Sequence, residues 1–127
     1  MALNPQFAAT VRCSSAALST ADTARTGTPT NVVTVFTAGS SGSRIDEVNV
    51  VATGTTTVGV VRLWIFNGTT YFLLQEIMVS AITPSTTQPV FSSILTFNNL
   101  MLPSGFSLRA TTNNSETFAV TAFGGDF

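Results

Sequence analysis

The stretch VGVVRLWIFNGTTYFLLQEIMV, residues 58–79, decides the fold that the sequence predicts. Two apolar runs flank the Asn67-Gly68 pair, which is the strongest short-range signal of a β-hairpin. Asn and Gly tolerate the positive φ of a tight turn, and such a turn matches the twist of the strands that it joins. The stretch therefore predicts two antiparallel strands, and a two-residue or a four-residue loop assigns the same side chains to each face.

The two faces of this hairpin differ in polarity, because side chains alternate across a strand. One face is almost wholly apolar, and we assign it to the core: Val61, Leu63, Ile65, Phe72 and Leu74. The other face is too apolar for open water and too polar for a dry core, and it carries Val60, Arg62, Trp64, Tyr71, Leu73 and Gln75.

The mixed face of the hairpin predicts contact with another subunit or a partner, because aromatic residues and Arg are enriched at interface hot spots. The candidate interface residues are Arg62, Trp64, Tyr71 and Gln75. Two alternatives remain open for Trp64 and Tyr71. They pack as ordinary core side chains, or they form a platform on which a sugar ring stacks.

The rest of the chain also favours strands. Short β-branched or alternating segments recur between turn formers, and no window shows helical periodicity with caps. About eight short strands separated by turns predict an all-β antiparallel sandwich, and one long early connection favours a jelly roll. An immunoglobulin-like sandwich is the alternative, weakened because Cys13 is the single cysteine and the core cysteine pair is missing.

The N-terminal quarter of the chain differs in composition from the remainder. Residues 1–30 are predicted to form an arm with a possible first strand over residues 10–18, and residues 31–127 the β-sandwich domain. Residues 19–30 contain turn formers and no apolar face. That segment is typical of a flexible linker, or of an arm that orders against a neighbour.

Charge is scarce in this sequence. The 127 residues are 44% hydrophobic and 9% charged, whereas a typical soluble domain is about 25% charged. A small monomer with so few charges is hard to keep soluble. The composition therefore predicts burial of surface in a homo-oligomer, with Ser and Thr hydroxyls as a second source of solvation. The five basic residues are all Arg and are scattered singly, so we expect no nucleic-acid partner.

The inventory of reactive side chains argues against catalysis. His and Lys are absent, which removes the usual general base and the Schiff-base amine. Asp46 and Glu47 are adjacent, so on a strand they point to opposite faces and form no dyad. We expect no enzyme, no cofactor and no metal site. No apolar run reaches the roughly 18 residues of a membrane span, and the first residues lack a secretory signal, so we expect no membrane partner and synthesis in the cytoplasm.

Three stretches carry a resemblance to a known family: VVTVFTAGSSGSRIDEVNVVATGTTT, VRLWIFNGTTYFLLQEI and LPSGFSLRATTNNSETFAVTAFGGDF. In their order and spacing they resemble small proteins encoded among the structural genes of tailed phages and prophages. Similar small phage β-sandwiches are capsid cement, or decoration, proteins that sit as trimers on the outer shell.

This resemblance implies a virion component with a jelly-roll fold. In that interpretation the protein is a homotrimer on the capsid exterior, where it bridges neighbouring major capsid proteins and stabilises the head. The alternative is a tail-fibre or receptor-binding head domain, in which Trp64 and Tyr71 bind host glycan.

Overall fold

The regular structure of this chain is β-strand throughout the part that the computed structural model describes, residues 9–127. Eight strands follow one another in this range and form two four-stranded antiparallel sheets. Their bounds are β1 (Thr10–Leu18), β2 (Val33–Thr37), β3 (Ser43–Ala52), β4 (Gly59–Phe66), β5 (Tyr71–Val79), β6 (Ser92–Leu102), β7 (Ser107–Thr112) and β8 (Phe118–Asp126). Residues 1–8, the start of the predicted arm, lie outside the described residues.

The order of the strands is that of a jelly roll. Sheet A has the order β1-β8-β3-β6, and sheet B has the order β2-β7-β4-β5. Most consecutive strands therefore lie in opposite sheets, as in two interleaved Greek keys. An immunoglobulin-like sandwich groups its strands differently. The prediction of an all-β antiparallel sandwich is confirmed, and the order identifies the jelly roll among the two alternatives.

The core lies between the two sheets and is built by inward-facing side chains of alternating residues. Along β3 and β8 the inward side chains are completely or almost completely buried, and so are their counterparts on β4 and β7. The fully buried set includes Phe36, Ile45, Val48, Val50, Val61, Leu63, Leu108, Ala110, Val120 and Ala122.

The β4–β5 hairpin has the turn that its sequence predicts. Phe66 pairs with Tyr71 across the loop of residues 67–70, and Gly68 adopts a φ of 101°. The side chain of Asn67 accepts hydrogen bonds from the backbone N–H groups of Thr69 and Thr70 at 3.0 and 2.7 Å. The loop thus satisfies its own polar groups, as Asn does in tight turns.

Further from the turn, the hairpin departs from the predicted core face. A bulge shifts the register so that Leu63 pairs with Gln75. Val61 and Leu63 are fully buried, and Ile65 and Leu74 pack partly buried against the core. The assignment of Phe72 to the core is wrong, because its side chain is 55% exposed. Phe72 lies on β5, the edge strand of sheet B, beside the turn, where the sandwich gives little cover.

The segment before β2 is integrated into the sandwich. β1, the possible first strand of the predicted arm, pairs with β8 along its whole length. The connection of residues 19–32 then folds over the outer surface of sheet B. The backbone N–H of Asp22 donates to the carbonyl of Thr112 at 2.8 Å. The connection is thereby attached to the end of β7 before the chain enters β2.

Candidate interaction surfaces

Part of the outer surface of sheet B is buried beneath residues 19–32. We call this part, around Arg62, Trp64 and Thr111, the covered face. Arg62 is 1% exposed and Trp64 is 0% exposed. Trp64 Nε1 donates to the hydroxyl of Thr111 at 3.0 Å. The indole therefore has both the apolar cover and the polar partner that a buried tryptophan needs.

The guanidinium of Arg62 joins the covered face to its cover. Its Nε donates to Glu76 Oε2 at 2.9 Å, and its Nη1 donates to the backbone carbonyl of Asp22 at 3.1 Å. Arg25, which belongs to the cover, donates to the same oxygen of Glu76 at 2.8 Å. The hydrogen bond from Arg25, together with that from Arg62, lowers the pKa of Glu76 against the opposing effect of burial. Glu76 thus links the strand to the connection above it.

The carboxylate of Asp22 joins the two ends of the connection, because it accepts hydrogen bonds from residues near both ends. Burial by itself raises the pKa of this group, but hydrogen bonds from the backbone N–H groups of Asn31, Ala24 and Thr30 outweigh that effect. The pKa of Asp22 therefore falls below its ordinary value. The N–H distances are 2.9, 2.9 and 2.7 Å, so the charged form is held by short, charge-assisted bonds. The ionised carboxylate is the form that holds the cover.

These contacts decide where the four predicted interface residues lie. Arg62 and Trp64 are buried within their own chain and do not reach the surface of the protomer. They affect an interface only indirectly, because they fix the position of the residues packed on them. The mixed polarity of this face has its explanation within the protomer. Tyr71 is half-buried and Gln75 is exposed, so both reach the surface of the protomer. Their role in an interface stays a prediction.

A partly buried group of side chains lies next to the covered face, at the turn end of the hairpin. We call it the arginine cluster: Phe66, Tyr71, Ser107 and Arg109. The Arg109 guanidinium lies over the Phe66 ring, 4.2 Å from Cζ to the centroid. It donates from Nη1 to the Tyr71 hydroxyl at 2.9 Å and from Nε to the Ser107 hydroxyl at 3.0 Å. The plane of the guanidinium is thus fixed by one ring and two hydroxyls.

Sequence reasoning missed this cluster, although the alternation of residues 106–110 places Arg109 on the outer side of its strand. Phe66 and Arg109 are far apart along the chain. The pairing of β4 with β7 sets Trp64 opposite Arg109 and Phe66 opposite Ser107. That pairing joins segments far apart along the chain, and no motif in either strand predicts it.

Arg109 differs from the other arginines in its lack of a carboxylate partner. All five arginines and all six acidic side chains lie within residues 9–127. The ion pairs in that range are Arg12–Asp126, Arg25–Glu76, Arg44–Asp46 and Arg62–Glu76. Glu47 is the converse case, since its carboxylate forms no hydrogen bond or ion pair with any described residue. Asp22 and Glu116 also lack an arginine partner, but both accept hydrogen bonds, so Glu47 is the carboxylate with neither kind of contact among the described residues.

The outer surface of sheet A carries mostly apolar and hydroxyl side chains and has no connection folded across its described part. We call it the open face. The strand registers place Cys13, Phe123 and Glu47 in one row across β1, β8 and β3. The exposed apolar side chains of this face are Val11, Ile94, Met101 and Phe123, which are 88%, 64%, 53% and 37% exposed. In the strand registers Arg44 lies between Val11 and Met101, and Glu47 lies beside Phe123, so charged side chains separate the exposed apolar ones. The open face as a whole is a candidate interaction surface.

Other acidic side chains fasten strands and loops. Asp126 accepts from the Ser43 hydroxyl at 2.5 Å and from Arg12 Nη1 at 3.0 Å, and these bonds lower its pKa. Glu116 accepts from the backbone N–H and hydroxyl of Thr57. Among the described residues, no group of three or more metal-ligating side chains comes together. Within the same range, no helix is long and apolar enough to cross a membrane.

Comparison with known proteins gives little. No family model matches the chain, and no curated protein matches it. A crystal structure of a pentameric capsid protein isolated from metagenomic phage sequences is similar, with a TM-score of 0.37 and 19% identity over 87% of this chain. The chain spans 60% of the length of that capsid protein. A likeness of this size carries no conclusion about assembly or activity.

Proposed function

We propose that this chain is a structural virion protein of a tailed bacteriophage. Its specific role would be that of a capsid cement, or decoration, protein on the exterior of the head, where it bridges neighbouring major capsid proteins as a homotrimer. The observation that carries an assembly role is the open face, with exposed Val11, Ile94, Met101 and Phe123. The phage assignment is supported by the resemblance of three stretches of sequence to small phage structural proteins.

The physical basis of such a role is preferential binding. A protein that binds the assembled shell and not the separated subunits stabilises the shell by mass action. The open face supplies exposed apolar side chains together with the charges of Arg44 and Glu47, and several copies multiply modest contacts through avidity.

We further propose that the chain has no enzymatic activity. The carboxylates of Asp22, Glu76 and Asp126 are engaged in hydrogen bonds that hold the fold together. Each of them has a lowered pKa and is therefore a weaker base than a free carboxylate. A hydrolytic or acid–base activity of the purified protein on any capsid component would contradict this proposal.

Heat rupture of expanded phage heads tests the proposed cement role. Heads that carry the protein should release their DNA at a higher temperature than bare heads. The variant Ile94→Asp places a charge in the middle of the open face and should fail to protect the heads. Thr86→Asp places the same charge on an exposed loop and should protect as well as the natural protein. Equal stability of bare and decorated heads would refute the role.

A tail-fibre or receptor-binding domain that binds host glycan is the second candidate. The observation in its favour is the half-buried pair of Phe66 and Tyr71, whose ring centroids are 4.3 Å apart. Trp64, which sequence reasoning placed in the same platform, is completely buried and does not reach a ligand. Antibody labelling of virions separates the two candidates, since a signal on the shell supports a cement protein and a signal on the tail supports a fibre.

A further inference from the structure

We propose that copies of this chain join head to tail, with the arginine cluster of one copy seated on the open face of the next through an Arg109–Glu47 ion pair. The proposal deepens the proposed function, on which it rests for the biological role of the assembly. It names the two surfaces that meet and the charges that set their orientation.

Charge complementarity is the first reason. Four of the five arginines have a carboxylate partner in their own chain, and Arg109 has none among the described residues. Its guanidinium is partly buried and already fixed by Phe66, Tyr71 and Ser107, so it loses little freedom when it binds an anion. A planar guanidinium of this kind is suited to a carboxylate.

The position of the two charges is the second reason. Arg109 lies on the outer side of sheet B, and Glu47 lies on the outer side of sheet A. The two sheets of a sandwich are about 10 Å apart, with the packed core between them. Within one copy the two side chains therefore face away from each other. They meet only if two copies stack with opposite outer sides in contact.

The surroundings of each charge are the third reason. Tyr71 and Phe66 lie against Arg109 at the turn end of the hairpin. Glu47 is paired in register with the 37% exposed Phe123 on one side and with Thr96 on the other. An ion pair that has aromatic side chains beside it is partly shielded from water and gains strength for that reason.

The symmetry of the assembly follows from the pairing of two different surfaces. A contact between unlike patches is heterologous, so it generates a closed ring or an open filament. A two-fold dimer would place like patches together and leave Arg109 facing Arg109. Because the two patches lie on opposite outer sides of one copy, successive copies stack in line, so this pairing gives an open row of copies and is an alternative to the homotrimer.

Charge reversal measured by sedimentation of the full chain tests the pairing. Arg109→Glu and Glu47→Arg should each raise the dissociation constant of the oligomer by about tenfold or more. The two reversals combined in one chain restore an ion pair of opposite direction and should return the constant close to its original value. Ser40→Arg and Thr86→Glu place the same charges on exposed turns and should leave it unchanged. Thermal melting of each variant shows that it is folded.

Each outcome decides a separate point. The head-to-tail pairing is overturned if the natural protein stays monomeric. It is also overturned if neither single reversal changes the dissociation constant of the oligomer. Both outcomes leave the cement role standing. A monomer whose Arg109→Glu variant no longer binds phage heads shows that Arg109 contacts a capsid protein, which also overturns the pairing. The pairing is supported if each single reversal raises the dissociation constant and the double reversal restores it. If the same oligomer gives phage heads no added stability, the cement role is refuted.

Discussion

The covered face of sheet B and the open face of sheet A are both outer surfaces of the same sandwich, yet only one has a cover from its own chain. On the covered face Arg62 and Trp64 are buried, and Arg62 bonds to the backbone carbonyl of Asp22 in the connection of residues 19–32. On the open face, Ile94 and Phe123 remain exposed. The comparison teaches that mixed polarity on a strand face indicates a cover without saying which chain supplies it.

The polar groups distinguish the two cases. On the covered face, the Arg62 guanidinium bonds to Glu76 and the Trp64 indole bonds to Thr111. On the open face, Glu47 has no such partner among the described residues. A buried polar group that is satisfied within its own chain belongs to the fold, whereas a surface charge without a partner in its own chain is available to another molecule.

The largest effect on stability is expected from Trp64→Ala. Removal of a fully buried indole should lower the free energy of unfolding by about 4 kcal/mol, because it leaves a cavity and an unpaired Thr111. Phe72→Ala, at a position that is 55% exposed, should cost about 1 kcal/mol at most. Urea unfolding measures both values. Similar losses for the two variants would mean that Trp64 is not enclosed by its own chain.

A smaller loss is expected from Asp22→Ala, because the connection over the covered face is held by this carboxylate. The loss of its hydrogen bonds to backbone N–H groups should cost about 2 kcal/mol. The cover should also open locally, so trypsin should cut after Arg25 faster than in the natural protein. Thr23→Ala changes an exposed neighbour and serves as the control. Unchanged cleavage at Arg25 would show that Asp22 does not hold the cover.

Acid should weaken the fold, including the covered face. In the folded protein the pKa of Asp22 lies below its ordinary value of 3.8. The stability that the ionised carboxylate contributes is therefore fully present above pH 3.8. The contribution is lost as the pH falls through the lower, folded-state pKa. Glu76 and Asp126 act in the same direction. The free energy of unfolding should therefore decrease below about pH 4.

The variant Asp22→Asn isolates the part of this acid sensitivity that belongs to the cover. An amide takes up no proton in this range, so the dependence of the free energy of unfolding on pH should be shallower than in the natural protein. Urea unfolding at a series of pH values measures the slope. Equal slopes would mean that the Asp22 carboxylate is not stabilised in the folded protein.

The smallest effect on the protomer is expected from Ile94→Ser on the open face. This side chain is 64% exposed, so the free energy of unfolding of the protomer should change by about 0.5 kcal/mol or less. Self-association measured by sedimentation should nevertheless weaken. If Ile94→Ser lowered the free energy of unfolding strongly and left self-association unchanged, Ile94 would belong to the fold of the protomer and not to an interface.

Local sequence was sufficient for much of the fold. The Asn67-Gly68 turn, the alternation along β3 and β7 and the turn formers between strands are short-range signals, and each strand they indicate is present. The jelly roll was favoured over the alternative by the long early connection. That connection proved to be the cover itself, and this second role could not be read from its composition.

Long-range features account for the errors and omissions. The bulge between Leu63 and Trp64 sets Gln75 opposite Leu63, and nothing in either strand marks it. The position of β5 at the edge of sheet B exposes Phe72. The pairing of β4 with β7 assembles the arginine cluster. Each of these depends on which strands become neighbours, and periodicity along one strand carries no such information.

The rate of thiol labelling at Cys13 tests most directly whether the open face is where copies meet. Cys13 is the single cysteine, is exposed, and shares a row with Phe123 and Glu47. A disulfide reagent should label it rapidly in dilute protein and slowly in the assembled oligomer, while Arg109→Glu should stay rapidly labelled at the higher concentration. Equal labelling rates in the dilute and assembled protein would contradict the assignment of the open face as an interface.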